Sequence, residues 1–240
     1  MENNKISFAS FVLGVFIFLG LGLMGWQLAS GAIKYKELER TVNVKGLAEQ
    51  EHSADIVLWP IQFSLADNNI GSLYNALESN VAKIKSFLIE SGLSEDEISV
   101  AVPNINDAFA NMYGGESRAE FRYTARQAVT VYSSKVELVR GIMNKTAELG
   151  KAGIVLTGNN YDARVEYIFT RLNEIKPMMI EEATKAAREV AQKFAEDSGS
   201  KLGKIKSANQ GQFSINDRDN NNPHIKTVRV VSTVVYYLSD

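Results

Sequence analysis

An uncharged, apolar stretch near the start of the chain constrains its fold more than any other feature. Between two flanking lysines, residues 6–33 contain no charged side chain and are rich in Phe, Leu, Val and Ile. About 20 helical residues cross a hydrocarbon core of ~30 Å, so this stretch is long enough to span a membrane with some tilt. Trp26 lies near its far end, where an indole favours the interface. We therefore expect residues 1–33 to form a membrane anchor, followed by a charged linker over residues 34–40.

A cleaved signal peptide is the alternative interpretation of the same stretch. Residues 29–31 (Ala-Ser-Gly) have the small side chains of a cleavage site. Signal cores run only about 7–15 apolar residues, however, and this one is longer, which favours an uncleaved anchor. The few Lys and Arg residues beside the segment slightly favour a soluble part on the inner side of the membrane.

Composition removes several classes of site from consideration. The 240 residues are 45% hydrophobic and 22% charged, with a net charge of -2, which is ordinary for a globular protein with one apolar insert. Nucleic acid is not expected as a partner, because binding to phosphate needs clustered Lys and Arg. Because the chain has no cysteine, disulfides, thiolate catalysis, iron–sulfur clusters and cysteine-ligated zinc are excluded.

The remainder, residues 41–240, is predicted to be one α+β domain with mainly antiparallel strands and helices packed on one face. Alternating apolar residues predict strands near residues 41–48, 55–66, 98–105, 121–132, 154–156, 164–170, 204–213 and 226–238. Apolar residues three or four positions apart predict helices over residues 70–91, 136–149 and 177–197. Hairpins followed by helices are typical of this fold class.

Two elements carry more specific expectations. Pro60 lacks a donor for a strand ladder, so the second strand is predicted to lie at a sheet edge or to carry a bulge. The apolar final strand is a second candidate for a free edge. The last helix is expected to lie close against a sheet through a stripe rich in alanine: Met179, Ala183, Ala186, Ala187, Val190, Ala191 and Phe194.

Three stretches of the chain, in this order and spacing, resemble the SIMPL-domain family, a group of envelope proteins of mostly unknown function. They are VNVKGLAEQEHSADIVLWPIQFS, FRYTARQAVTVYSSKVELVRGIMNKTAELG and EEATKAAREVAQKFAEDSGSKLGKIKSANQG. The resemblance covers about residues 41–238. It departs from the family at Lys45-Gly46-Leu47 and Gln50, where relatives are richer in glycine, and in the uncleaved anchor.

The resemblance implies export to the cell envelope, a link to oxidative stress in some relatives, and ring-like oligomers. We therefore expect a single-pass protein of the inner (cytoplasmic) membrane whose soluble domain faces the periplasm, against the weak indication from the flanking charges. The family supplies no agreed catalytic residues, so none are carried over.

The two histidines were weighed as metal ligands. His52 is predicted to lie in a turn beside Glu49, Glu51 and Asp55, which together could hold a cation. We favour a solvated acidic turn instead. His224 is predicted to be a surface residue in a polar loop.

An acidic loop near the end of the chain has part of a calcium-binding pattern. Asp217, Asp219 and Asn221 have the alternate spacing of the first three ligands. Such a loop needs glycine at its sixth position and glutamate at its twelfth, where this chain has Asn222 and Val228. A hairpin tip is the favoured interpretation, so no metal site is predicted.

No catalytic motif occurs in the structural context that its chemistry requires. Ser198 and Lys201 fit the pattern S-x-x-K, but that chemistry needs the serine at a helix start, and here it follows a helix end. We interpret the segment as a helix stop, and predict no catalytic, cofactor-binding or metal-binding residue. In an enzyme, Asp55 or Glu166 would have to serve as the base.

The sequence thus favours a non-enzymatic envelope protein that self-associates as a homo-oligomer on the membrane surface. The alternative is a module that binds a small ligand or peptide, between helices and sheet or at the predicted tip Tyr113-Gly114-Gly115.

Overall fold

The structure, a computed structural model, describes residues 2–37, 40–110, 120–157 and 164–239. Its helices are α1 (Glu2–Glu37), α2 (Ile70–Glu90), α3 (Val136–Met143), α4 (Ala147–Lys151) and α5 (Leu172–Asp197). Its strands are β1 (Thr41–Ser53), β2 (Ile56–Asp67), β3 (Ile98–Val100), β4 (Asn104–Asp107), β5 (Tyr123–Ser133), β6 (Glu166–Ile168), β7 (Lys201–Gln210), β8 (Ser214–Asp217) and β9 (Ile225–Ser239). The strands pair antiparallel, so the predicted α+β class is confirmed.

The chain divides into two compact units, each built from distant parts of the sequence. The first unit comprises Met1–Glu49, Pro177–Phe213 and Arg229–Asp240. The second comprises Gln50–Lys176 and Ser214–Val228. Two strands, β1 and β9, therefore contribute residues to both units.

Helix α1 carries the predicted anchor. Within the described residues, Leu13–Ile33 is the one helical segment apolar enough to cross a membrane, with a mean hydropathy of 1.7 and no burial against the protein. Phe16, Phe18 and Trp26 are each at least 70% exposed. Large apolar surfaces that the protein leaves uncovered are what a helix surrounded by lipid presents.

In the first unit, helix α5 covers a sheet with the strand order β1-β9-β7. Buried side chains from the helix and two strands form its core: Val44, Ala187, Ala191, Val234 and Tyr236. The final strand, β9, lies in the middle of this sheet, so the prediction that it forms a free edge is wrong. Its central place suits its composition, because a strand flanked on both sides can bury alternate apolar residues along much of its length.

The packing of α5 on β1 confirms the expectation of close approach. A Cβ atom added at Gly46 would lie only 1.9 Å from the carbonyl oxygen of Ala183, so helix and strand backbones nearly touch there. The fully buried helix residues recur every four positions: Met179, Ala183, Ala187, Ala191 and Ala195. Val190 and Phe194, predicted to be buried, are 42% and 57% exposed. The buried stripe is therefore narrower than the apolar pattern suggested.

The second unit is a sheet with the order β3-β5-β2-β6, in which β4 also pairs with β5. Alternate residues of β2 and β5 point toward α2, α3 and α4, and form the larger core. Its most completely buried large side chains are Val57, Phe63, Leu73, Ile84, Leu88, Val129, Val131 and Val139. The opposite face of this sheet is half-buried or exposed.

Strand β2 lies inside this sheet, contrary to the prediction from Pro60. Pro60 pairs with Thr130 of β5 on one side. On the other side, β6 pairs with residues 56–58 and a short bridge at Leu156 covers Phe63. Pro60 lies between these two contacts, where no partner strand among the described residues needs its missing N–H. The argument that Pro60 cannot donate to a strand ladder on one side was therefore correct, although β2 is a central strand.

Several element boundaries differ from the sequence prediction, and of the strand predicted over residues 154–156 only an isolated bridge at Leu156 forms. The strand predicted over residues 98–105 is interrupted around Pro103, giving β3 and β4. The helix predicted over residues 136–149 is divided into α3 and α4. Helix α5 begins at Leu172 and includes Pro177 as its sixth residue, where the proline removes one hydrogen bond between successive turns. Strand β8 was not predicted.

Candidate functional site

His52 lies near the end of strand β1, not in the predicted turn, and its ring is stacked on an aromatic side chain. The rings of His52 and Phe169 have centroids 5.3 Å apart at an angle of 23°. The predicted neighbouring acids are each engaged elsewhere: Glu51 lies 3.6 Å from Arg218, and Glu49 lies 3.9 Å from Arg229. Among the described residues, no three His, Asp or Glu side chains are grouped to hold a metal ion.

The second histidine is half-buried, and so differs from the predicted surface residue. The rings of His224 and Tyr167 meet edge to face with centroids 6.0 Å apart. Burial lowers the pKa of His224, and the positive charge of Arg140 adds to this effect. Burial raises the pKa of Tyr167. Both shifts favour the uncharged forms of His224 and Tyr167, which suits their packing contact.

Asp55, one of the two candidate bases, holds the start of the segment after β6. Its carboxylate accepts hydrogen bonds from the backbone N–H and the hydroxyl of Thr170, at 2.8 and 2.6 Å. It also lies 3.6 Å from the guanidinium of Arg171. Glu166, the other candidate, is exposed in β6.

The predicted hairpin tip joins β8 to β9, and the carboxylate of Asp219 within it is hydrogen-bonded to neighbouring residues of the tip. Asp219 accepts hydrogen bonds from the backbone N–H groups of Asn221 and Asn222, at 2.8 and 2.9 Å. Hydrogen bonds from Arg218 and Asn222 lower the pKa of Asp219 to about 2. Such a carboxylate closes a turn, as an Asx turn does.

The two remaining candidates have different outcomes. The helix stop is confirmed: α5 ends at Asp197, Gly199 has a φ of 66°, and the Ser198 hydroxyl donates to the carbonyl of Ala195 at 3.0 Å. The predicted tip Tyr113-Gly114-Gly115 lies outside the described residues.

Strand β7 forms one end of the sheet in the first unit and is exposed along almost its whole length. Of its 10 residues only Leu202 is half-buried, and the rest are exposed. It pairs with β9, where the N–H of Gly211 just beyond the strand donates to the carbonyl of Val231 at 2.8 Å. Alternate residues of an antiparallel strand direct their backbone groups to opposite sides. Asn209 therefore faces β9, while Ala208 and Gln210 present their N–H and C=O groups to the open side.

The open face of the sheet in the second unit contains a cleft of about 820 Å³. Polar side chains contribute much of its lining, including Gln62, Ser64, Arg126 and Thr157. Sequence reasoning missed these residues. The available signal was the alternation in β2, where Gln62 and Ser64 interrupt an apolar strand and so indicate a second, polar face.

Comparison with known proteins agrees with the resemblance seen in the sequence. The SIMPL family, described as a protein of unknown function (DUF541), matches residues 42–235. No curated protein matches the chain. The match begins at β1 and ends within β9, so it takes in residues of both compact units. Because it covers most of the chain, the protein belongs to the SIMPL family.

Proposed function

We propose that this protein is a single-pass, non-enzymatic protein of the cell envelope, structural or stress-related, whose head associates with other copies through strand β7. One observation carries the proposal. β7 is a strand of 10 residues with β9 on one side and, within the described residues, no strand on the other. An exposed edge of this kind is a template for pairing with another chain.

The charge distribution along β7 indicates which part of the edge pairs. Lys201, Lys204 and Lys206 lie among its first six residues, and lysines on an edge oppose association with another strand. The last four residues, Ser207–Gln210, include no charged residue and keep a regular register with β9. Pairing is therefore assigned to Ser207–Gln210.

The anchor supports association of this kind because it concentrates the heads in one plane. Leu13–Ile33 has the length and hydropathy of a membrane span. Molecules held in a common bilayer meet at a much higher effective concentration than free molecules, so a short edge contact suffices. The resemblance to exported relatives supports an anchor in the inner membrane and a head that faces the periplasm.

A proline substitution at Ala208 tests the proposal. Ala208→Pro removes an N–H that faces the open side, so the ladder with β9 keeps all its bonds. Ala208→Ser is the matched control, since it keeps the N–H. We expect detergent-solubilised full-length protein and Ala208→Ser to elute as one multimer in size exclusion with light scattering, and Ala208→Pro to elute as a monomer. A wild-type monomer at all micromolar concentrations, or a multimer of Ala208→Pro, would contradict the proposal.

A further inference from the structure

The cleft in the second unit lies on the face of a sheet, away from its edges. Its floor is formed by β2, β5, β4 and the segment that follows Ile154, which contacts β2 through the bridge between Phe63 and Leu156. Backbone groups within a sheet are used in its own ladders, where β2 pairs with β5 over residues 57–67. A ligand on this face is therefore recognised by side chains.

The strand register brings complementary polar groups into adjacent rows of this face. Ser64 lies opposite Arg126, and Arg126 lies opposite Asn104, so a hydroxyl, a guanidinium and an amide form one row. In the next row, the N–H of Thr157 donates to the carbonyl of Gln62 at 2.8 Å, which places these side chains side by side. Residues that oppose each other across antiparallel strands point to the same face.

Two polar atoms of the second row lack hydrogen bonds. The Oε1 atom of Gln62 and the Oγ1 atom of Thr157 each expose less than 1 Å² and have no partner within the described part of the chain. Buried polar groups are nearly always paired in native proteins, so two neighbouring exceptions in one cleft call for an explanation. Once these two side chains rotate toward the cleft, a ligand that supplies hydroxyl or amide donors would satisfy both atoms.

The charge of the cleft indicates what else the ligand carries. Arg126 is exposed, and among the described residues it has no ion pair or hydrogen bond. None of the described residues that line the cleft is Asp or Glu. A free guanidinium with no competing acid selects a carboxylate or phosphate, which it can bind with two parallel hydrogen bonds.

We propose that this cleft binds an acidic sugar, with its carboxylate on Arg126 and its hydroxyls on Gln62 and Thr157. Amide and hydroxyl side chains match sugar hydroxyls, and the exposed apolar side chains of Val102 and Val155, 89% and 61% exposed, can cover C–H surfaces at the rims. The volume lies within the range of about 300–1,000 Å³ found for ligand sites. This site is independent of association through β7.

Calorimetric titration of the full-length protein in detergent tests the site. The probe is a tetrasaccharide of alternating glucuronic acid and N-acetylglucosamine, and its neutral counterpart is the N-acetylglucosamine tetramer. We expect the acidic probe to bind at least tenfold more tightly than the neutral one. Arg126→Gln should abolish that preference, and Arg126→Lys should retain part of it. Arg188→Gln, at an exposed position of α5, should leave the preference unchanged.

Thr157 gives a second test, because a residue with only a structural role would change the stability of the protein and not its affinity for the probe. Thr157→Val removes an unpaired buried oxygen, so it should preserve or raise the unfolding temperature while weakening the acidic probe at least fivefold. Absence of binding at millimolar probe, equal binding by Arg126→Gln, or equally tight binding of inorganic phosphate would overturn the assignment. So would a Thr157→Val variant that loses stability and keeps its affinity.

Discussion

Glu97, at the start of β3, has its carboxylate surrounded by hydrogen-bond donors. It accepts from the hydroxyl of Ser133 at 2.6 Å, from the hydroxyl of Ser94 at 2.8 Å and from the ammonium of Lys135 at 2.9 Å. Burial alone would raise the pKa of Glu97, but these hydrogen bonds, with one from the backbone of Ser94, lower it from 4.5 to about 2. The ionised carboxylate therefore links the end of β5 and the residue before α3 to the loop that follows α2.

Replacing Glu97 should expose this contribution through its pH dependence. Because the pKa is lower in the folded protein, the stabilisation is present above about 4.5 and is lost as the pH falls toward about 2. We expect Glu97→Gln to lower the free energy of unfolding by about 1.5–3 kcal/mol at neutral pH, a difference that shrinks at acid pH. Urea titrations followed by the emission of buried Trp59 measure it, with exposed Glu90→Gln as the control. An equal difference at pH 7 and pH 2.5 would contradict this account.

Gly46 gives the second residue-scale prediction. Because an added Cβ would meet the backbone of α5 at 1.9 Å, Gly46→Ala should separate helix and strand and destabilise the protein by roughly 1–3 kcal/mol or more. Gly141 in α3 is the matched control, since a Cβ there meets nothing within 4 Å. Gly141→Ala should stabilise by about 0.5–1 kcal/mol. Thermal unfolding of both variants decides, and a neutral Gly46→Ala would refute the close contact.

These residues show how far sequence reasoning reached at this scale. The alanine pattern of α5 correctly predicted close packing, because small side chains are visible in the sequence. Its partner Gly46 was not identified, since the contact joins residues far apart in the chain. His224 was placed on the surface for the same reason: its half-burial depends on Tyr167, which only the fold brings near.

At the scale of elements, α5 presents two apolar surfaces with different roles. Ala191 is fully buried against the sheet, while Phe194 is 57% exposed. Phe194→Ser should therefore change the free energy of unfolding by no more than about 0.5 kcal/mol. Ala191→Leu should destabilise by roughly 1–3 kcal/mol, because no space is available for the larger side chain. Chemical denaturation of the two variants compares them directly, and the reverse order would show that the sheet-facing stripe is assigned wrongly.

The type of an element was predictable where its hydrophobic periodicity was strong. Which strands lie beside each other in a sheet was not predictable. The pattern of α2 gave its position within one residue, and its positive-φ Gly92 follows the helix as expected. The composition of β9 indicated an apolar strand, but whether such a strand is central or at an edge depends on which strands flank it. Among the described strands, β1 and the polar strand β7 form the two ends of this sheet, and β7 is the more exposed. Its polarity is consistent with exposure, which the search for apolar edges overlooked.

For the whole molecule, the proposed orientation can be measured cleanly because the chain has no cysteine. Ser86→Cys places one exposed thiol in the head, and Asn3→Cys places one before the membrane span. If the head faces the periplasm, a membrane-impermeant maleimide should label Ser86→Cys in intact spheroplasts and Asn3→Cys only after lysis. The opposite pattern would place the head in the cytoplasm. Labelling of Ser86→Cys in the soluble fraction, with no labelled protein from Asn3→Cys, would indicate a head released by cleavage after the apolar stretch.

Sequence reasoning at this scale identified the family and the helix that is apolar enough to span a membrane, because both depend on local residue patterns. One domain over residues 41–240 stays a prediction, and the structure divides the chain into two compact units that each draw on distant parts of the sequence. The cleft escaped detection because Gln62, Arg126 and Thr157 come from separate segments and match no motif.

The number of chains in one membrane-embedded particle tests the central claim most directly. Pairing of β7 with the other sheet end, β1, of a neighbour would build rings, whereas pairing of two β7 strands would build two-fold dimers. Native mass spectrometry of full-length protein released from lipid nanodiscs should show one defined multimer for the wild type and for Ala208→Ser, and a monomer for Ala208→Pro. A wild-type monomer, or the same multimer for all three proteins, would contradict association through β7.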